Sequence, residues 1–157
     1  MDNKKIYAIS VLFSEGVGII SGLIIKDGIK AYETMAKPPL SPPAIVFPIV
    51  WSILYLLMGI GAARIYMSYG NTHRTKALML YTAQLAFNFF WGIIFFNMKA
   101  YGVAYFWLLI LLVLVANMLM LFKDIDKIAT LINMPYLFWL LFAAYLNYSV
   151  WMLSAKW

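Results

Sequence analysis

The chain has 157 residues, of which 65% are hydrophobic, 18% aromatic and only 11% charged. Soluble domains are about 45–50% apolar and about 25% charged, so this composition excludes a water-soluble fold. The 12 Lys and Arg against 6 Asp and Glu give a net charge of +6. In a membrane protein such an excess indicates topology and contact with anionic lipid, not a nucleic-acid partner. The absence of cysteine excludes disulfides, thiolate metal sites and thiol catalysis.

Five apolar stretches predict five transmembrane helices, since each crossing needs about 20 apolar residues. The predicted spans are about 6–25, 44–63, 77–96, 100–122 and 128–153. Together they predict one all-α domain over residues 1–157, a bundle of five antiparallel transmembrane helices with short connections. Lys and Arg are slightly more numerous on the face that carries the N-terminus, which favours a cytoplasmic N-terminus.

The first connection, residues 26–41, is the longest and the least loop-like. Asp27-Gly28 predicts a turn, and Ile29 to Met35 predicts a short interfacial helix with Tyr32 on its apolar side. The proline-rich segment 37–43 stiffens the return to the membrane. We therefore expect a lid above the bundle, with a simple connector as the alternative.

Three spans carry aromatic and amide side chains at helical spacing, which places each set on one face. The second span contributes Phe47, Trp51 and Tyr55, the third Gln84, Asn88 and Trp91, and the fifth Tyr136, Trp139, Ala143 and Asn147. One interpretation is ordinary packing, in which amides bond between helices. The other is a cavity shaped for a planar aromatic guest, because several large rings surround the small Ala143.

Glu15 is the only acid inside a predicted span, and a carboxyl near mid-membrane is costly, by about 3 kcal/mol. It predicts either a proton or cation site, or a neutral carboxyl that is hydrogen-bonded to a serine or a backbone carbonyl. The second interpretation is favoured because no other buried charge is available as a relay partner. Nearby, Gly18 and Gly22 form a GxxxG pattern that permits close helix contact.

Sequence signatures of hydrolases, metalloproteases and P-loop enzymes are missing, and the single His73 lies in a polar loop. No His or Cys lies within a span to act as an axial ligand of haem iron, which leaves only thioethers such as that of Met58. We predict no metal site. A bound tetrapyrrole would be held by shape and stacking.

Several motifs together resemble the tryptophan-rich sensory protein/translocator protein family (TspO/MBR, or peripheral-type benzodiazepine receptors). They are Tyr32 with Lys37-Pro38 and Pro42-Pro43, then Phe47, Val50-Trp51, Leu54-Tyr55, Met58-Gly59, Gln84 to Asn88, Trp91, Phe95-Phe96, Pro135-Tyr136, Trp139, Ala143, Leu146-Asn147 and Trp151. The resemblance implies a dimeric five-helix bundle with a cavity beneath the first loop. It implies porphyrins and benzodiazepine or isoquinoline-carboxamide compounds as ligands, and light-dependent porphyrin breakdown in some bacterial members.

By position, Trp51 and Trp139 look like the family's cavity tryptophans, with Asn88, Trp91, Ala143 and Leu146 in the wall and Tyr32 in the lid. With the aromatic and amide stripes, the predicted ligand-binding residues are Tyr32, Phe47, Trp51, Tyr55, Asn88, Trp91, Trp139, Ala143, Leu146 and Asn147.

These observations predict a receptor, sensor or carrier of porphyrins or other planar apolar molecules, as a homodimer in a bacterial-type cell membrane. It would need no cofactor, since the porphyrin is the ligand. An alternative is an enzyme-like, light-dependent degradation of bound porphyrin, in which Trp51 and Trp139 donate electrons or intercept reactive oxygen. A second alternative is proton-coupled transport centred on Glu15.

Overall fold

A computed structural model describes residues 1–155 and consists of five long α-helices. They are α1 (Asn3–Glu33), α2 (Val46–Met67), α3 (Arg74–Gly92), α4 (Tyr101–Ile125) and α5 (Lys127–Ser154), and α3 continues into a π-helical turn, Ile93–Asn97. All five are long and apolar enough to cross a membrane. The predicted all-α, five-helix membrane fold is therefore confirmed.

Helix α1 is longer than its predicted span and takes up most of the predicted first connection. It runs without interruption through Asp27 and Gly28 to Glu33. The predicted turn at Asp27-Gly28 and the separate interfacial helix are therefore wrong, and the first loop comprises residues 34–45. Gly28 has a packing role instead, because a Cβ atom there would lie 2.6 Å from the Phe96 carbonyl oxygen in the π-helical turn.

The helices form a ring in the order α1, α2, α5, α4, α3, and the π-helical turn after α3 packs against α1 to close it. Between α1 and α2, Ser10 Oγ donates to the Gly59 carbonyl at 2.7 Å, and Ser14 Oγ donates to the Tyr55 carbonyl at 2.8 Å. At this crossing, a Cβ on Gly59 would lie 2.7 Å from Val11 Cα. The helices can approach this closely only because Gly59 has no side chain.

Polar side chains join the helices inside the bundle. Tyr136 Oη on α5 donates to Gln84 Oε1 on α3 at 2.7 Å, and Gln84 Nε2 lies 3.5 Å from the Met58 sulfur on α2. Gln84, Asn88 and Trp91 are buried, as are Tyr136, Ala143 and Asn147. The prediction that these stripes face protein is confirmed.

The opposite end of the bundle from the first loop is fixed by Asp126, between α4 and α5. Its Oδ1 accepts from the N–H groups of Ile128 and Ala129 at 2.8 and 3.0 Å, which caps the start of α5. Its Oδ2 lies 2.8 Å from Arg64 Nη2 near the end of α2. One carboxylate therefore ties three helices together.

Candidate ligand-binding site

A large groove lies between α1, α2 and α3, on the half of the bundle that carries the first loop. Its volume is about 390 Å³. The side chains of Ile19 and Leu23 on α1 and Ser52 on α2 line it and are exposed. The groove therefore opens on the outer surface of the bundle, which faces lipid in a membrane.

The back of the groove is aromatic. The Trp51 ring centroid lies 5.8 Å from that of Tyr55 and 6.3 Å from that of Trp91. Phe47 and Asn88 complete this wall, with the backbone of Gly92 beside them. Such a surface suits a flat hydrocarbon guest, because rings stack favourably and only a few polar atoms have to be satisfied.

A second, closed pocket lies beneath the first loop. Its lining residues are Tyr32, Phe47, Trp91, Phe95, Phe96, Trp139, Ala143, Leu146 and Asn147. Its volume is only about 10 Å³, which is space for about one water molecule.

Three aromatic side chains separate the groove from the closed pocket. Phe47, Trp91 and Phe96 line both spaces. The Phe47 and Phe96 ring centroids are 5.9 Å apart, and those of Trp91 and Phe96 are 6.3 Å apart. A ligand larger than a water molecule can reach the closed pocket only if these rings or the first loop move.

The two amides among the predicted ligand-binding residues also make hydrogen bonds within the protein. Asn147 Oδ1 accepts from Trp91 Nε1 at 3.1 Å, and Asn147 Nδ2 donates to the Tyr101 carbonyl at 2.8 Å. Asn88 Nδ2 donates to Tyr55 Oη at 3.2 Å. Asn147 is thus engaged on both sides by protein and fixes α3, α4 and α5 relative to one another.

Two buried polar atoms at the closed pocket lack a partner among the described residues. They are the hydroxyl of Tyr32 and the indole N–H of Trp139. Each ring packs edge-on against Phe47, at centroid distances of 5.1 and 6.2 Å. Buried donors without an acceptor are costly, so a guest that offers oxygen or nitrogen acceptors would be stabilised here.

The first loop connects Tyr32 and Phe47, which line the closed pocket, and is held by two side chains from other helices. Tyr145 Oη on α5 donates to the Pro39 carbonyl at 2.8 Å, and Tyr101 Oη on α4 lies 3.5 Å from the Met35 sulfur. Pro38 and Ala44 are buried. The loop therefore packs across the end of the bundle, in the position that a lid requires.

The predicted site residues divide between the two spaces. Trp51, Tyr55 and Asn88 line only the groove, Phe47 and Trp91 line both spaces, and the closed pocket alone is lined by Tyr32, Trp139, Ala143, Leu146 and Asn147. Trp51 connects the groove residues to those of the closed pocket, because its ring centroid lies 6.4 Å from that of Trp139.

Sequence reasoning missed the contribution of α1 and the shared role of Phe96. Gly22, Ser21 and Ile25 line the groove from α1, together with Glu15. The only sequence signal for this face is the GxxxG pattern, which predicts a helix contact. Gly18 does pack against the Tyr55 ring, but Gly22 faces open space.

The environment of Glu15 also differs from the favoured interpretation, which was a hydrogen-bonded carboxyl. Within residues 1–155, no hydrogen bond or ion pair involves its side chain, which lines the groove. The neighbouring Ser10 and Ser14 do not pair with it, because their hydroxyls donate to carbonyls of α2.

The chemistry available is that of stacking and a few hydrogen bonds. Among residues 1–155, no group of three or more His, Asp or Glu side chains is placed to hold a metal ion.

Comparison with known proteins gives a consistent result. Residues 10–152 match the model of the TspO/MBR family. The chain is 34% identical to a tryptophan-rich sensory protein of Cereibacter sphaeroides over 139 residues, which cover 88% of this chain and 85% of that one. It is 35% identical to the protein CrtK of Rhodobacter capsulatus over 124 residues (78% of each chain) and 35% identical to the translocator protein of Ovis aries over 127 residues (80% and 75%).

Proposed function

We propose that this chain, which belongs to the TspO/MBR family, is a membrane receptor or carrier for porphyrins and related planar ligands. Family membership supports a sensor or receptor role in a membrane. The tetrapyrrole ligand is the additional claim, and compounds of the benzodiazepine and isoquinoline-carboxamide classes would compete for the same site.

The observation that carries this proposal is the pairing of an aromatic groove with two unpartnered donors behind it. The groove of about 390 Å³ offers Trp51 and Trp91 for stacking. Behind the ring partition, the Tyr32 hydroxyl and the Trp139 N–H have no acceptor among the described residues. A flat macrocycle with acceptor groups on its edge matches both features.

Titration of the purified protein with protoporphyrin IX, in nanodiscs, tests this proposal. We expect saturable binding, which is measured by the shift of the Soret band. The double variant Trp51→Phe, Trp139→Phe should bind about tenfold more weakly, since it removes indole stacking area and one donor. Trp107→Phe is the matched control, because Trp107 donates to the Phe87 carbonyl and stacks on Phe87, outside both spaces. Equal affinity in the double variant and the control would contradict the site.

Light-dependent conversion of the bound porphyrin is a second candidate. It is favoured by the proximity of three indole rings, since Trp51 lies within 6.4 Å of both Trp91 and Trp139. These electron-rich side chains would lie beside an excited macrocycle. Illumination of the aerated complex should then consume more than one equivalent of protoporphyrin per protein, and bleaching at the rate of free protoporphyrin would leave a binding protein only.

A further inference from the structure

The groove has an acidic end and a basic end. Its α1 wall runs from Glu15 through Ile19, Gly22 and Lys26 to Ile29. These residues span 14 helical steps, so the wall is about 21 Å long at a rise of about 1.5 Å per residue. Glu15 and Lys26 are about 16 Å apart by the same rise. Their charges are therefore too far apart to neutralise each other, and Glu15 lies at the end away from the first loop.

Glu15 has no partner for its charge. The titratable side chains that line the groove are Glu15, Lys26 and Tyr55. Within residues 1–155 the only ion pair joins Arg64 to Asp126. Within a membrane, away from water, a carboxylate is stabilised by pairing with a cation. The groove gives a cation access to Glu15.

The groove is open to molecules dissolved in the bilayer. Ile19 and Leu23 on α1 and Ser52 on α2 line it and are exposed on the lipid-facing surface. The space beside Gly22 is open, since a Cβ atom there would meet nothing within 4 Å. An amphipathic molecule can therefore enter from the side, with its charged group directed towards Glu15.

We infer that the groove binds a membrane-partitioning aromatic amine, whose ammonium group pairs with Glu15 and whose ring system packs against Trp51 and Trp91. Charge complementarity selects a cation at the Glu15 end, and the rings of Trp51 and Trp91 select an aromatic body for the rest of the ligand. This goes beyond tetrapyrrole binding, since both the ligand class and the carboxylate that recognises it are different.

Two fluorescent probes that differ only in charge test this inference. 1-Pyrenemethylamine is cationic at neutral pH, and 1-pyrenemethanol is its neutral counterpart. Binding to the full chain in nanodiscs of uncharged lipid is measured by energy transfer from tryptophan to pyrene. We expect the amine to bind about tenfold more tightly than the alcohol after correction for partitioning into empty nanodiscs. Equal affinities in the unmodified protein would overturn the inference.

Substitutions at Glu15 distinguish the charge from a structural role. Glu15→Gln should reduce the amine-to-alcohol affinity ratio from about ten to about one, whereas Glu15→Asp should keep a clear preference for the amine. A ratio unchanged in Glu15→Gln would overturn the role of Glu15. If neither variant folds, the comparison of the two probes on the unmodified protein still decides.

Filling the groove tests the location independently. Gly22→Leu should reduce the affinity for both probes at least about tenfold, because its side chain projects into the groove. Gly16→Leu is the matched control on the same helix: a Cβ there also meets nothing within 4 Å, but Gly16 does not line the groove. Equal losses in both variants would place the probes outside the groove. Failure of protoporphyrin to bind would contradict the proposed function but leave the probe ratio, and hence this inference, intact.

Discussion

Single polar side chains in the interior carry much of the specificity of this bundle. Tyr136 is fully buried, and its hydroxyl donates to Gln84 Oε1 at 2.7 Å. Hydrogen bonds between membrane helices each contribute about 0.6 to 2 kcal/mol. The Tyr136–Gln84 pair matters more for arrangement than for total stability, because it fixes α5 against α3 at one register.

Removal of the Tyr136 hydroxyl should therefore cost a measurable amount of stability. In Tyr136→Phe the buried Gln84 oxygen loses its donor, so we expect the free energy of unfolding to fall by about 1 kcal/mol. Titration with SDS in mixed micelles measures this free energy of unfolding. Tyr148→Phe is the control, since Tyr148 is 47% exposed, and it should leave the stability unchanged. Equal stability of both variants would show that the Tyr136 bond contributes nothing.

At the scale of helices, glycine positions decide how closely α1 and α2 can pack. Gly59→Ala would place a Cβ 2.7 Å from Val11 Cα, and backbone atoms cannot move aside as a flexible side chain can. We expect the free energy of unfolding to fall by about 1–3 kcal/mol. Gly16→Ala should leave stability unchanged or raise it by up to about 1 kcal/mol, because its Cβ meets nothing and alanine favours the helix. A loss of similar size in both variants would contradict this account.

The link among α2, α4 and α5 depends on the charge of Asp126. Burial alone would raise the pKa of Asp126, but the N–H of Ala129, the guanidinium of Arg64 and the N–H of Ile128 outweigh it and hold the pKa below its ordinary value of 3.8. The folded state therefore binds a proton at this carboxyl less readily than the unfolded state. The resulting stabilisation is complete above pH 3.8 and is lost as the pH falls below it, through the lowered pKa.

Comparison of the unmodified protein with the Asp126→Asn variant isolates the contribution of the Asp126 charge to stability. Asparagine keeps a side-chain oxygen for the cap of α5 but loses the ion pair with Arg64. At pH 7 the variant should melt at a lower temperature than the unmodified protein, and the difference should narrow as the pH is lowered below 3.8. A difference that does not change with pH would show that charge on Asp126 has no role.

At the scale of the whole molecule, the first loop connects α4 and α5 to the site. The contacts of Tyr145 with Pro39 and of Tyr101 with Met35 hold it over the closed pocket. A ligand in that pocket would rest against Tyr32 and Phe47, at the two ends of the loop. The lid role and the homodimer stay predictions of the sequence.

Amide hydrogen exchange tests the lid directly. Protoporphyrin should slow exchange in residues 34–45 more than in the loop between α2 and α3, residues 68–73, because only the first loop is flanked by residues that line the closed pocket, Tyr32 and Phe47. Equal protection of both loops would mean that the ligand stabilises the bundle as a whole, without closing a lid.

The sequence by itself determined the number of helices and the faces that they bury. Hydrophobic length and helical spacing are local properties, so the residue pattern alone predicts the five spans and the inward direction of Gln84, Trp91 and Tyr136. The motifs of α2, α3 and α5 also identified nine residues that line the two spaces, and the first connection identified the tenth, Tyr32.

Only the tertiary structure decided how those residues are used, because this depends on contacts between helices far apart in sequence. Gly28 predicts a turn by its residue type, yet it continues α1 because Phe96 packs against it. Asn147 lines the closed pocket, and both ends of its amide are also hydrogen-bonded within the protein, to Trp91 and to the Tyr101 carbonyl. Glu15 lines the groove, which lies on the first-loop side of the close contact between Gly59 and Val11. Helix packing, which no local pattern encodes, divided the predicted cavity into an open groove and a closed pocket.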